Sequence, residues 1–495
     1  MNHSNLNKKV YIHTFGCQMN VHDSEKIAGI FSSFAYEQTE NIKDADVIII
    51  NTCGIRQKAE QKFYSELGRL KDLKDKTPHL KIAVAGCIAQ QKGNALFERF
   101  PYVDFIFGPN NIDSVQNWIG NRGQGSGVRG QKTEEKTLAT DNRQLKTALG
   151  DNPEYSDKIL PIKREGKGRA WVSVMYGCDN FCSYCVVPYT RGREKSRPVS
   201  DIINEIKDIS KNGFKEITLL GQNVNSYGKN LNETNMSERD AKNNEKNPPS
   251  PPFAKGGQRG FLNQNIDFPD LLKVIHKIEG IQRIRFVTSH PKDFSEKLIE
   301  TARDLPKICE HIHLPIQAGS DKILSLMNRN YTYVKYKEKI EMLRHAIPEI
   351  AITTDIIVGF PGETDEDFQC TMNALKEIEF DGIFAFKYSK RPNTAAINLS
   401  GHINEKTKSE RLSKVLDLQA EITYRKNTEF KGKTLEVLVE GVSETDKSKL
   451  TGRTRTNKVV NFYGDENHTG TLVIIKILET KQHSLFGEIV QNNLT

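Results

Sequence analysis

Apolar positions along the chain fall into two alternating textures. Short runs rich in β-branched residues at 10–15, 46–50 and 81–85 are each followed by a polar stretch with helical spacing, the pattern of buried strands in a parallel βαβ sheet. The alternation resumes further on, with strands expected at 171–176, 216–220, 283–288, 311–314, 352–358 and 382–388 and helices between them at 199–211, 269–278 and 366–378. Six parallel strands are too few for a closed eightfold barrel and suit an open (β/α)6 barrel, whose site is expected at the carboxyl ends of its strands. A helical pattern over 404–426 then gives way to five short alternating segments at 434–440, 450–455, 459–463, 471–478 and 485–490. That is the size of a small OB-like β-barrel, a frequent holder of RNA. The expected fold class is therefore α/β: a sheet domain over 8–120, a barrel over 159–403, a connecting helix over 404–430 and a small β-barrel over 431–492.

Two stretches lack either texture. Residues 121–158 are polar and aperiodic, as in a linker. Residues 229–265 form an insertion of Asn-rich and charged text followed by Pro248, Pro249, Ser250, Pro251 and Pro252. It has too little apolar surface to offset its ordering entropy and reads as a disordered loop.

Composition changes this picture only slightly. The 495 residues include 71 basic and 63 acidic side chains, a net charge of +8 that permits a nucleic-acid partner without requiring one. Eight cysteines in so long a chain, with no secretory signal in the first ten residues, point to reduced thiols in the cytoplasm rather than to a disulfide framework. No apolar run approaches the roughly 20 residues needed to span a bilayer, so no membrane is expected.

Six of the cysteines change the picture more. Cys178, Cys182 and Cys185 have C-x3-C-x2-C spacing just after a strand, which gathers three thiolates around one metal centre. On a 4Fe-4S cubane, three thiolates leave one iron open to a small molecule. A structural zinc site and a disulfide are the competing readings, but zinc normally closes with four ligands and no fourth Cys or His lies nearby. Cys17, Cys53 and Cys87 each stand just past the carboxyl end of an expected strand. In a parallel sheet those ends share one edge, so a second three-thiolate site competes there with a reading of three ordinary buried cysteines. Cys309 and Cys370 lack such partners and are taken as structural. Arg453, Arg455 and Lys458, next to Phe462 and Tyr463, offer phosphate contacts and stacking faces, or else a solvated turn.

Six motifs, four of them holding or adjoining these cysteines, resemble those of the methylthiotransferases of the radical S-adenosylmethionine (SAM) superfamily. They are Thr14-Phe-Gly-Cys-Gln-Met-Asn20 with Asp23-Ser-Glu25, Asn51-Thr-Cys-Gly-Ile-Arg56, Gly86-Cys-Ile-Ala-Gln90, Cys185-Val-Val-Pro-Tyr-Thr-Arg-Gly-Arg193, Leu220-Gly-Gln-Asn-Val-Asn-Ser-Tyr227 and Asp355-Ile-Ile-Val-Gly-Phe-Pro-Gly-Glu363. The resemblance spans nearly everything except the linker and the insertion. It implies an N-terminal cluster domain, a radical SAM barrel and a C-terminal TRAM domain. Within the family, Gly-Cys-Gln-Met-Asn points to members acting on a prenylated adenosine of tRNA.

The resemblance implies two 4Fe-4S clusters and SAM as cofactors. The cluster on Cys178, Cys182 and Cys185 would chelate SAM and cleave it reductively to methionine and a 5′-deoxyadenosyl radical, opening the unreactive C2–H of adenine. The cluster on Cys17, Cys53 and Cys87 would present sulfur, which a second SAM methylates before transfer. The expected product is 2-methylthio-N6-(dimethylallyl)adenosine in the tRNA anticodon loop. Gln222, Asn223, Thr354 and Asp355, with the Gly359–Gly362 turn, are candidates for SAM contacts, with a scaffold role as the alternative. The implied partners are tRNA and an electron donor such as flavodoxin or ferredoxin, for a monomeric enzyme. Relatives modifying a ribosomal-protein aspartate or threonylcarbamoyl-adenosine, and a non-catalytic iron–sulfur RNA-binding protein, are the alternatives.

Overall fold

The computed structural model describes residues 8–54, 57–120, 147–150, 152, 159–164, 166–231 and 266–492. Most of the expected linker and nearly all of the 229–265 insertion lie outside them. The chain divides into two compact units: residues 1–165 with 185–193 and 391–394, and the remainder.

The first unit is built on a six-stranded sheet in the order β2-β1-β3-β4-β5-β6. Its strands are β1 (Lys9–Phe15), β2 (Glu37–Gln38), β3 (Val47–Thr52), β4 (Lys81–Gly86), β5 (Phe105–Phe107) and β6 (Thr147–Ala148). Every pairing is parallel. The β-branched run Val47–Ile50 is fully buried because helices cover both faces of such a sheet. All three expected strands of this domain are present.

In the second unit, β7 (Arg169–Ser173), β10 (Glu216–Leu220) and β11 (Arg283–Phe286) form one parallel sheet in the order β11-β10-β7. A short antiparallel pair, β8 (Met175–Tyr176) and β9 (Lys195–Ser196), flanks it. A second parallel sheet runs β12 (His311–His313), β13 (Ala351–Val358), β14 (Gly382–Lys387), and a single parallel bridge from Ile284 to Ile308 joins the two. The six expected barrel strands are all found, with the barrel nearly split at its middle. Ile352, Ile356 and Val358 of β13 pack with Leu343, Leu375 and Phe380 in one apolar core. Thr353, Asp355 and Ile357, on the other face of the strand, remain partly accessible.

The connecting helix, Glu405–Thr428, starts on an Asn404 cap whose side chain accepts from the Thr407 amide. It leads into a closed five-stranded barrel ordered β15-β16-β17-β19-β18. Its strands are β15 (Thr434–Val442), β16 (Leu450–Thr454), β17 (Val459–Phe462), β18 (Leu472–Thr480) and β19 (Leu485–Asn492). This small barrel is fastened to the large one by charge. Arg283, fully buried, donates to Glu436 at 2.7 Å and to the Arg453 carbonyl at 3.0 Å. Arg285 donates to Glu216 at 2.9 Å and to the carbonyls of Thr454 and Arg455 at 2.6 and 2.8 Å. Arg169 pairs with Glu440 at 2.9 Å. Arg169, Glu216 and Arg283 each begin a strand and Arg285 lies two residues into β11, so the small barrel occupies the amino-terminal edge. The cysteine loop after β8 belongs to the opposite, carboxyl-terminal edge.

Candidate iron–sulfur and SAM site

The sequence turns out of β8 at Gly177, whose φ of +70° favours a residue without a Cβ, and then meets Cys178. Phe181 is also left-handed at φ +46°, a strained conformation that lets the loop double back and bury Cys182. Cys178 and Cys182 belong to the second unit, and Cys185 opens the stretch grouped with the first. Burial pushes the Cys178 thiol up to about 11, so this site does not preform a thiolate there. Deprotonation at Cys178 awaits a bound metal.

Two nitrogen groups face Cys182. His290 Nδ1 accepts from the Lys292 amide at 3.2 Å, which places the ring proton on Nε2, 4.0 Å from Cys182 Sγ. Burial, with Arg329 beside it, lowers the His290 pKa to about 2, so the ring is neutral. The Arg329 guanidinium lies 3.4 Å from Cys182 Sγ and from the Tyr184 hydroxyl, and donates to the Pro315 carbonyl at 2.9 Å and to Tyr331 Oη at 3.1 Å. No carboxylate is among these contacts. A guanidinium 4% exposed and surrounded by hydroxyls, a carbonyl and a thiol calls for an anion. A thiolate-bound cluster and the carboxylate of SAM both meet that need.

The loops after β10 and β11 carry further unmet capacity. Gln222 Oε1, Asn223 Oδ1, both amide atoms of Asn225 and Ser289 Oγ are buried with no hydrogen-bond partner. Orphaned buried polar atoms in one region are the expected state of a polar ligand site. Thr288 and Gln317, just past β11 and β12, are left-handed at φ +71° and +74°. Gln222 and Asn223 thus lie where the sequence places them, with Asn223 Nδ2 fixed on Asp293 at 2.8 Å. Thr354 differs. Its hydroxyl donates to the Leu314 carbonyl and accepts from the Ile316 amide, at 2.9 and 2.8 Å, which saturates it as a tie between strands. Asp355 lies on the opposite face of β13, 3.5 Å from His313 Nε2. The Gly359 turn packs on the connecting helix, where a Cβ would come within 2.1 Å of Lys408.

In the first unit the other three cysteines converge at the edge that the sequence indicates. Cys17 is the N-cap of the helix Gln18–Ser33, Cys53 follows β3, and Cys87 is the first residue of the helix Cys87–Lys92. A Cβ on Gly16 would stand 2.6 Å from the Cys53 Cβ, and one on Gly54 would stand 3.3 Å from the Cys87 Cβ. These glycines let the three loops approach. Hydrogen bonding with Cys53 brings the Cys17 thiol down to about 6, with Arg191 helping and burial opposing.

Asn20, at the end of the Gly-Cys-Gln-Met-Asn motif, accepts from Cys17 Sγ at 3.3 Å and donates to Asn51 at 3.3 Å. Arg191 pairs with Asp23 at 2.7 Å, both nearly fully buried, which puts a cation among the thiols. The structure thus gives local work to Asn20, Asp23 and Arg191, which the sequence marks only as members of motifs. It also adds His290 and Arg329, which no spacing rule marked. Among the described residues no three metal-ligating side chains close around a single ion.

The three cations expected to meet RNA lie elsewhere. Arg455 donates to Glu310 at 2.7 and 2.8 Å and to the carbonyls of Pro306 and Ile308. Lys458 sits 3.6 Å from Asp381, and Arg453 pairs with Glu440 at 3.2 Å. All three are thus paired within the protein. Arg455 and Lys458 meet carboxylates just before large-barrel strands, Glu310 before β12 and Asp381 before β14, whereas Arg453 pairs within the small barrel on β15. Cys309 is buried and Cys370 is exposed on its helix.

Residues 9–108 match a family described as Uncharacterized protein family UPF0004, residues 172–375 the Radical SAM superfamily and residues 429–490 the TRAM domain. The tRNA-2-methylthio-N(6)-dimethylallyladenosine synthase of Thermodesulfovibrio yellowstonii is 52% identical over 483 residues, covering 98% of this chain and 99% of that one. The chain belongs to the tRNA-2-methylthio-N(6)-dimethylallyladenosine synthase family. Synthases of the same name from Syntrophus aciditrophicus and Thermoanaerobacter sp. strain X514 are 46% and 45% identical, each over 98% of this chain and 95% and 94% of theirs. Among solved structures, the radical SAM methyltransferase TsrM from Kitasatospora setae, with tryptophan and a SAM analogue bound, aligns with TM-score 0.51 at 12% identity, over 76% of this chain and 72% of that one. That likeness concerns the fold alone. As a member of this synthase family the chain is a radical SAM methylthiotransferase whose cofactors are two 4Fe-4S clusters and SAM. Among the described residues no helix is long and apolar enough to cross a membrane.

Proposed function

We propose that the chain transfers a methylthio group to C2 of N6-(dimethylallyl)adenosine beside the anticodon of tRNA. The observation that carries this reading is the 52% identity, end to end, with a synthase named for that product. When bound, the cluster on Cys178, Cys182 and Cys185 supplies the electron for reductive SAM cleavage, and that on Cys17, Cys53 and Cys87 supplies an open iron for sulfur. Around them the chain orients and shields. Arg329 holds the SAM carboxylate, Gln222 and Asn223 offer their unpartnered carbonyl oxygens to its donors, and His290 directs its Nε2 proton at Cys182. Arg191 balances the negative charge of the N-terminal thiolates, and Asp23 fixes its place.

In this reading Arg453, Arg455 and Lys458 hold the C-terminal barrel in position and the RNA meets another of its faces. Tyr463, 61% exposed, stands edge-on to Phe486 with Lys449 over both rings. Aromatic planes beside a cation suit single-stranded RNA. The enzyme works as a cytoplasmic monomer, with reduced flavodoxin or ferredoxin as donor.

The test is anaerobic reconstitution, incubation with SAM, reductant and tRNA from cells lacking the modification, and mass spectrometry of the nucleosides. A methylthio group on prenylated adenosine alone supports the assignment. Its appearance on threonylcarbamoyl-adenosine, or tRNA binding without SAM consumption, would refute it.

A further inference from the structure

One face of β13 and β14 is built unlike the rest of the large barrel. Strand register sets Asp355 opposite Phe384 and Ile357 opposite Phe386. Ile383 and Ala385, the residues that alternate with the two phenylalanines, pack against the core, so Phe384 and Phe386 point away from it. They are 51% and 38% exposed. Two neighbouring exposed rings in a regular strand are unusual for a surface that stays wet, because nothing recovers the hydrophobic free energy of either.

The polar surroundings of these rings are ordered. His313, on the adjacent β12, stands edge-on to Phe384 with ring centroids 5.8 Å apart. Its Nδ1 lies 3.0 Å from Thr353 Oγ1 and its Nε2 3.5 Å from Asp355 Oδ1. Thr353 is itself 3.1 Å from His311 Nε2. The imidazole is thus held between a hydroxyl and a carboxylate, while Asp355 keeps 29% of its side chain accessible. The result is a shelf of two aromatic faces with Ile357 beside them and one carboxylate acceptor at its border.

We propose that this shelf is the binding subsite for the modified base, a planar adenine carrying an apolar five-carbon arm on N6. The inference rests on the function proposed above and assigns residues to its substrate. The rings of Phe384 and Phe386 stack on the base and its prenyl arm, and Ile357 extends the apolar contact. Asp355 accepts from the N6–H, the one donor that prenylation leaves on that nitrogen. An unprenylated base keeps that hydrogen bond and loses the apolar contact. The shelf therefore selects for the prenyl group by burial, not by a hydrogen bond.

The experiment uses the full-length reconstituted protein and two nucleoside probes, N6-(dimethylallyl)adenosine and adenosine, with binding read by calorimetry. The wild type is expected to hold the prenylated nucleoside on the order of tenfold or more tighter than adenosine. The double variant Phe384→Leu/Phe386→Leu should lose on the order of tenfold in affinity for the prenylated nucleoside. Because both rings are exposed, its iron content and far-ultraviolet circular dichroism should match the wild type. Equal affinity of variant and wild type for the prenylated nucleoside, or no preference in the wild type, overturns the subsite. Methylthiolation of tRNA is scored separately. Wild-type protein that shows the shelf's selectivity but leaves prenylated tRNA unmodified overturns the proposed function and not the shelf.

Discussion

Replacing Arg285 by methionine tests the charge lock beneath the large barrel. Arg285 and Glu216 are 4% and 1% exposed and 2.9 Å apart. Glu216 Oε2 has no hydrogen-bond partner, and the nearest further guanidinium paired with it, that of Arg283, stands 3.8 Å away. Deleting the Arg285 guanidinium strands a buried carboxylate and uncovers the carbonyls of Thr454 and Arg455. Breaking a buried pair from one side costs about 3–5 kcal/mol. Glu216→Gln keeps an oxygen for Arg285 and should cost about 1.5–3 kcal/mol, near the net worth of a hydrogen bond to a charged group. The double variant has no stranded charge, so its effect should fall short of the sum by about 2–3 kcal/mol. Pulse proteolysis across a urea series reads the transition without requiring the whole chain to unfold in one step. An Arg285→Met variant within about 0.5 kcal/mol of the wild type, or strictly additive effects, would show that the lock is unimportant.

Other variants separate the sites. Cys182→Ala should remove about half the iron and abolish 5′-deoxyadenosine formation, whereas Cys53→Ala should remove the other half and spare some SAM cleavage; chemical iron counts and chromatography decide both. Arg329→Met should weaken SAM binding by roughly a hundredfold, the equivalent of about 3 kcal/mol for a lost charge-assisted contact, measured by equilibrium dialysis. Tyr463→Ala should weaken tRNA binding by about tenfold while leaving the slope of affinity against salt unchanged, because a ring releases no counterions. Truncation after Lys431 should lower SAM cleavage as well as tRNA binding, since it removes the partners of the buried Arg283; a truncated chain with full RNA-independent cleavage would contradict that coupling.

Much of this architecture was legible because its elements follow local periodicity. The runs at β1, β3 and β4 and the six barrel strands read directly from β-branched residues punctuated by Gly, Asn and Asp. Their shared parallel edge then placed Cys17, Cys53 and Cys87 together. What escaped depends on partners distant in sequence. Arg329 and Cys182 are 147 positions apart, and nothing near Arg329 marks it as a site residue. Arg453, Arg455 and Lys458 suggested phosphate because a basic hairpin beside aromatics reads the same whether it meets RNA or carboxylates. The carboxylates that pair with them, Glu440, Glu310 and Asp381, are scattered through the chain. Thr354 stayed open between site and scaffold for a related reason, since a hydroxyl beside a glycine turn gives no sign that two backbone groups across the barrel already hold it.

The charge lock also bears on synthesis. Arg285 reaches the Arg455 carbonyl across 170 positions, and translation at about 5–20 residues per second takes roughly 10–30 s to cover them. Throughout that interval the nascent large barrel carries Arg283, Arg285 and Glu216 with part of their surroundings still inside the ribosome. Its amino-terminal edge stays hydrated and open until the last sixty or so residues emerge. Completion of the catalytic barrel is thus deferred to the end of translation, so a prematurely terminated chain carries its metal-binding loop on an unfinished support.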